Sequence, residues 1–393
     1  MPSVCLYFQL HQPQRLNNYS ALDIGRGLSY FDKRMNRQIL HQVADRSYLP
    51  TNKLLLKLIK EYGDKFKVAF SISGTLLDQL ESMRPDVLRS FEKLAETGCV
   101  EFLAETHNHS LAFVYSREEF FRQVILHKEK VWQHFRQDPL VFRNTELVYN
   151  NQLAYFIRQM GFRGVCVEGI PSLLKGSSPN YLHRPPDLLN MSLLLRNAEL
   201  ADDIAFRFEN KAEESTLSPL EFAAKLHQEK GDVVNLFMDY ETFGEHKKAD
   251  TGIFEFLEAL PKAIMRDKSW SFKLPTESIQ NLSAKEVYSA QDYISWADQA
   301  RDLSAWRDNE LQKEALQKVY ELESVVLGTA NQEMINTWSL LQASDHFYYM
   351  DTKDGPDGAV HDYFRPFPTA YDAYLAYMNV IADFQLKIKN ASS

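Results

Sequence analysis

Seven short apolar runs recur along the first two-thirds of the chain, separated by amphipathic stretches with readable starts and stops. The runs are Val4–Leu10, Lys67–Ile72, Cys99–Ala104, Leu140–Thr145, Gly164–Val167, Met191–Leu195 and Val233–Asp239. Rich in Val, Ile, Leu and Phe and bounded by turn residues, they read as strands. Strands that alternate with helices run parallel and are joined by right-handed crossovers. That constraint leaves few architectures, and seven such units predict an α/β barrel rather than an open sheet. Between the strands, Ser116 with Glu119 predicts a capping box ahead of an apolar face of Phe120, Val124, Val131, Trp132 and Phe135. Ser218-Pro219-Leu220-Glu221 places an N-cap, a first-turn proline and a capping glutamate in order, with Gly231 closing that helix. The stretch from His11 to Pro50 is long for a strand-to-helix connection; such loops are functional or hold small elements of their own.

The pattern changes after about Pro275. Ser283 with Glu286 predicts one helix start, Asp308 to Leu327 a long helical stretch, and Thr369 with Asp372 a last helix running toward Lys389. We therefore expect a barrel over residues 1–275 and an α-helical region over residues 276–393, joined by a short linker.

Composition removes several classes of function. With 44 Lys+Arg against 53 Asp+Glu, the formal charge of −9 and the lack of a long basic run argue against nucleic acid or anionic membrane as partners. No apolar run approaches membrane-spanning length. Met1-Pro2-Ser3 leads directly into a strand, without a secretory signal pattern. Cys5, Cys99 and Cys166 are odd in number and far apart, which predicts reduced thiols and a cytoplasmic location. The 19 Tyr and 5 Trp suit a sugar cleft, where a ring face meets a sugar face and a polar edge takes a hydroxyl.

Polar residues gather where predicted strands end, and catalytic groups of α/β barrels project from that edge. His11-Gln12-Pro13 follows the first strand and is suited to orienting sugar hydroxyls. In the third, Glu101, Leu103 and Glu105 share one face by strand periodicity, and a carboxylate there needs polar partners. His107 and His109 raise the question of a metal, as in polysaccharide deacetylases. His109-Ser110-Leu111-Ala112-Phe113-Val114 has Phe and Val where a second ligand would fall, which favours a hydrogen-bonding pair and no metal. Glu146 ends the fourth strand, with Asn150 capping the next helix. Asp239 and Glu241 end the seventh on one face, and such a pair of like charges raises at least one pKa, as a proton donor requires. Carboxylates from different strands, set among His, Asn, Gln and aromatic residues, fit glycoside hydrolysis, which needs no cofactor.

These clusters, in this order, resemble glycoside hydrolase family 57, whose members include α-amylases and 4-α-glucanotransferases. The family's regions resemble His11-Gln12-Pro13, Gly98-Cys99-Val100-Glu101 running on to His109, Arg143-Asn144-Thr145-Glu146, Met238 through His246, and Leu341 through Met350. Ser295-Trp296-Ala297-Asp298 and Arg301 through Trp306 are similar to its α-amylase-like branch. The resemblance implies an incomplete (β/α)7 TIM-like barrel followed by a C-terminal helical bundle, and a retaining reaction on α-1,4-glucans. It implies Glu146 as nucleophile and Asp239 as acid/base, with carboxyl groups about 5–5.5 Å apart. Substrate hydroxyls would be bound by His11, Gln12, Glu101, His109, Glu241, His246, Asp345 and His346. It also implies that Asp345 and His346 fold back onto the cleft. A metal-dependent polysaccharide deacetylase and a non-catalytic glucan-binding homologue are the alternative readings.

Overall fold

The computed structural model describes residues 2–210 and 215–391. The seven apolar runs are strands β1 (Ser3–Leu10), β2 (Val68–Ile72), β3 (Val100–Phe102), β4 (Val141–Arg143), β5 (Gly164–Glu168), β6 (Ser192–Arg196) and β7 (Val233–Asp239). β1 pairs in parallel with β2, β2 with β3, β4 with β5, and β5 with β6. The gap between β3 and β4 is bridged by Ala104 and Phe142, while Asn235 pairs with Arg196 to join β7 to β6. β7 returns to β1 over seven residue pairs, from Ser3–Val233 to Gln9–Asp239, so the sheet closes on itself. It is the seven-stranded (β/α) barrel that the alternation predicts.

Period-two alternation sorts the side chains of each strand. Val4, Leu6, Phe8 and Leu10 of β1 lie in a core shared with the surrounding helices, whereas Cys5 and Tyr7 join Ala69, Leu103, Val141, Cys166, Leu194 and Phe237 inside the barrel. All three cysteines are free and buried. The floor, at the N-terminal ends of the strands, is closed by helix Pro275–Asn281, whose Ile279 packs on the interior cluster. No helix among the described residues is long and apolar enough to cross a membrane.

The long connection after β1 contains helices Lys33–Val43 and Leu49–Tyr62. Its first part packs into a second core, where Leu16, Tyr19 and Tyr30 meet Trp306, Leu316, Trp338, Phe347, Tyr377 and Phe384 of the C-terminal helices. Asp383, fully buried on helix Ala370–Ala391, fastens the two together. Its carboxylate accepts from the Gly25 amide and from the Tyr30 hydroxyl, both at 2.5 Å, with Lys387 at 3.3 Å.

Three local expectations are corrected. Ser283 and Glu286 do not start a helix: Glu286–Val287 pairs as a short strand with His183–Arg184. Extended backbone there seats the fully buried Tyr288, whose hydroxyl donates to the Glu168 carbonyl at 2.8 Å, and that burial outweighs local helix propensity. On helix Arg117–Phe135, Ser116 caps the Glu119 amide, but the Glu119 carboxylate turns to Arg122 and Gln123, and Trp132 is exposed. The capping box at Ser218 and Glu221 forms, yet that helix ends at Leu226, and Gly231 instead lies against the Asn180 backbone.

Replacing Asp383 by alanine leaves the Gly25 amide and Tyr30 hydroxyl without their acceptor. The expected loss is about 2–4 kcal/mol of unfolding free energy. Denaturant titration checks it, and a change below ~0.5 kcal/mol would show that Asp383 does not hold the loop.

Candidate active site

The C-terminal ends of the strands bring the chemistry together. Behind β4, Glu146 sits in the left-handed region (φ 55°, ψ 28°), in a turn that swings its carboxylate back over the barrel mouth. His109, in the loop after β3, also has positive φ (52°). Its Nε2 donates to Glu146 Oε1 at 2.7 Å and its Nδ1 to Glu105 Oε2 at 3.1 Å. An imidazole that donates from both nitrogens is the cation. Burial alone would lower its pKa, but the two carboxylates raise it to about 9. Glu105 itself is wholly buried; burial works against its charge, but His109, His127 and Arg143 bring it down to about 2. Ser71 Oγ donates to its other oxygen at 2.5 Å.

His11 stacks on His109, with ring centroids 4.1 Å apart. Its Nδ1 lies 2.7 Å from Ser73 Oγ and its Nε2 3.0 Å from Asp345 Oδ2. Burial and the positive charge of His109 lower its pKa, against the pull of Asp345. Asp345 reaches this point because Ser110 and Ala343 form a β-bridge and the Ser344 amide donates to the His109 carbonyl at 2.9 Å.

Asp239, at the end of β7, has the opposite electrostatics to Glu146. Among the described residues no side chain donates to its carboxyl group. Burial and the charge of Glu146 raise its pKa to about 6, against the pull of Arg143, His109 and Arg196. Glu146 is also desolvated, but the His109 bond, Arg143 and Trp296 outweigh this and lower its pKa. One carboxyl group is thus held as the anion while the other takes a proton near neutrality. Glu241, on the turn after β7, accepts from the Tyr48 hydroxyl and from Gln12 Nε2 at 3.5 Å. Burial and the Asp239 charge raise its pKa to about 8. Gly244 (φ 102°) lets this turn lie against the Arg46 carbonyl, where an added Cβ would stand 1.9 Å from the oxygen.

His11, Gln12, His109, Glu146, Asp239, Glu241 and Asp345 therefore converge, and three other expected residues do not. Glu101 lies at the barrel floor, accepting from the Thr276 amide and hydroxyl at 2.9 and 2.5 Å. Period two gives Glu101 and Glu105 the same face but opposite ends, and Glu105 is the one at the mouth. His346 turns into the helical region, where its Nε2 donates to the Leu340 carbonyl at 3.2 Å. His246 stands exposed at the rim, its ring centroid 5.9 Å from that of Phe364.

Arg143 and Trp296 were not among the expected site residues. Arg143 is fully buried inside the barrel, and none of its three guanidinium nitrogens has a hydrogen-bond partner among the described residues. Trp296 Nε1 donates to Glu146 Oε2 at 2.7 Å. The segment carrying it is docked by paired amides between Tyr149 and Ile294, both at 2.9 Å. His107 and His109 point to different partners, His107 reaching Asp78 at 3.3 Å. Among the described residues one trio, Asp298, Asp351 and His361, is close enough to share a cation. Lys353 Nζ already bridges its two carboxylates at 2.9 and 3.0 Å, so an ammonium fills that role.

Comparison with known proteins agrees with the fold. A Methanocaldococcus jannaschii protein named "Putative alpha-amylase" is 38% identical over 97% of this chain and 84% of its own length. Among solved structures, the GH57-type branching enzyme of Pyrococcus horikoshii has a TM-score of 0.71 at 12% identity, over 96% of this chain and 88% of that one. The 4-alpha-glucanotransferase of Thermococcus litoralis has a TM-score of 0.64 at 16% identity, over 88% of this chain and 56% of that one. At those identities the two structures speak for the fold. The model of glycosyl hydrolase family 57 matches residues 5–291, and with it the M. jannaschii relative shows that this chain belongs to that family.

Proposed function

We propose that this chain is a retaining enzyme on α-1,4-glucans, with Glu146 as nucleophile and Asp239 as general acid and base. The observation that carries the reading is the opposed electrostatics of the two carboxyl groups at one barrel mouth. Glu146 is kept anionic by His109 and Trp296, and Asp239 is raised to about 6 by burial and by Glu146. Double displacement needs that division of labour. The relatives' names, alpha-amylase, 4-alpha-glucanotransferase and branching enzyme, support the substrate class.

In this mechanism Asp239 protonates the glycosidic oxygen as the C–O bond breaks, and Glu146 attacks the anomeric carbon from the opposite face. The β-linked glycosyl ester is then cleaved by water or by an acceptor sugar, whose proton passes to Asp239. Asp345 and His11 brace His109 from behind, and residues 276–393 complete the site through Asp345 and Trp296.

A product time course on maltoheptaose distinguishes the two outcomes of the second step. Shorter products alone indicate hydrolysis, products both longer and shorter indicate glucanotransfer, and no consumption contradicts the proposal. With Glu146→Ala, turnover should be lost, and azide should restore it as a β-glycosyl azide, because a single displacement inverts the centre. An α-azide, or rescue only in Asp239→Ala, would reverse the two roles.

The pH profile of kcat/KM should be a bell. The acid must be protonated, so activity falls as pH rises through about 6, the Asp239 value; the nucleophile must be ionised, so the acid limb lies below the ordinary carboxylate range. Asp239→Asn should flatten the basic limb and cost on the order of 100-fold or more on maltoheptaose. The same variant should lose far less in the glycosylation step with α-maltosyl fluoride, whose leaving group needs no proton. Equal losses on both substrates would remove Asp239 from the acid role.

A further inference from the structure

Both oxygens of the Glu146 carboxylate are occupied, and the second is held from a segment 150 residues away. Trp296 Nε1 donates to Oε2 at 2.7 Å, and the Trp296 amide donates to the Glu146 carbonyl at 3.3 Å. The indole is thus tied to the same residue by side chain and backbone. Packing does not require this: a phenyl ring would fill much of the same space and donate nothing.

The surroundings of the ring strengthen the bond. Arg143 and Arg196, both buried, place their guanidinium carbons over the Trp296 ring, 5.2 and 5.5 Å from its centroid. Cations over an aromatic face draw density out of the ring, which makes the indole N–H a stronger donor. The segment is rigid enough to aim it. Arg301 donates to the Trp296 carbonyl, the Ser295 amide to the Arg301 carbonyl at 3.0 Å, and Ser295 Oγ to the Asp302 carbonyl at 2.7 Å. Two residues along, Asp298 is gripped by Lys353 at 2.9 Å and His361 at 3.1 Å.

We infer that Trp296 is a positioning residue for the nucleophile: its polarised indole N–H fixes the rotation of the Glu146 carboxylate so that an oxygen lone pair faces the anomeric carbon. The inference rests on the reading of Glu146 as nucleophile. The division between two donors has a chemical purpose. The His109 cation holds Oε1 strongly, whereas a neutral indole holds Oε2 without withdrawing as much of its nucleophilic density. The helical region thereby takes part in the chemical step as well as in covering the cleft.

Trp296→Phe, made in the full chain, removes the N–H and keeps an aromatic ring beneath the guanidiniums. We expect kcat/KM on α-maltosyl fluoride to fall about 10- to 100-fold, mainly in kcat, the loss expected for one bond to a charged acceptor. The acid limb of the pH profile should move up by about one unit, since the anion has lost a donor. A ring that only packs would leave that limb in place. A second measurement guards against a misfolded variant: Glu146→Ala with and without Trp296→Phe, each supplied with azide. If Trp296 acts through Glu146, the double variant should be rescued as well as the single one. An unmoved acid limb, or a further large loss in the double variant, overturns the inference while the wild type still turns over glucan. A wild type that leaves both substrates untouched fails the earlier proposal instead.

Discussion

The His109 imidazolium between Glu105 and Glu146 is the interaction on which the site depends. Both ring nitrogens donate to carboxylates, at 3.1 and 2.7 Å, in a pocket where His109 is nearly inaccessible. A buried cation is stable there because two anions flank it, and each anion is stable because of the cation. Remove the charge of His109 and Glu146 loses its principal partner; remove Glu105 and the imidazole loses the group that orients it. The His11–Asp345 pair, stacked behind, adds a third anion, so proton position, ring orientation and the charge of Glu146 are set by one chain of contacts.

Barrel closure makes that chain possible. Parallel strands deliver their C-terminal residues to one rim, so Glu105 beyond β3, Glu146 beyond β4 and Asp239 at the end of β7 meet although they are far apart in sequence. The interior is a graded medium. Leu103, Val141, Cys166 and Leu194 fill its middle, and Arg143 stands among them without a hydrogen-bond partner among the described residues, a positive charge acting on Glu105, Glu146 and Asp239. That charge lowers both Glu146 and Asp239, and what separates them is contact: Glu146 has two donors, whereas burial and the neighbouring anion act on Asp239.

How far the sequence could be read follows the range of each interaction. The seven strands stand where the apolar runs lie, because strand burial is written in consecutive residues. Asn150 and Ser218 cap helices as expected, since caps are local too. Glu101 illustrates the limit: alternation gives its face but not its height in the barrel, so Glu105 beside it carried the same signal unrecognised. The motif around Trp296 is local, but its reach to Glu146 is not. Its place is created by the pairing of Tyr149 with Ile294, just as that of Asp345 is created by Ser110 with Ala343. The short strand at Glu286–Val287 is non-local in the same way, and the capping pattern at Ser283 misleads because the burial of Tyr288 decides the backbone.

The central claim is that a covalent bond forms between Glu146 and the anomeric carbon. Incubation with a 5-fluoroglycosyl fluoride, whose intermediate forms faster than it breaks down, followed by proteolysis and mass spectrometry, tests it at the level of one side chain. The account predicts a glycosyl mass increment on the peptide containing Glu146, assigned to that carboxylate by fragmentation and absent from Glu146→Gln. A label on Asp239, or steady turnover with no labelled peptide and an inverted product, would contradict it.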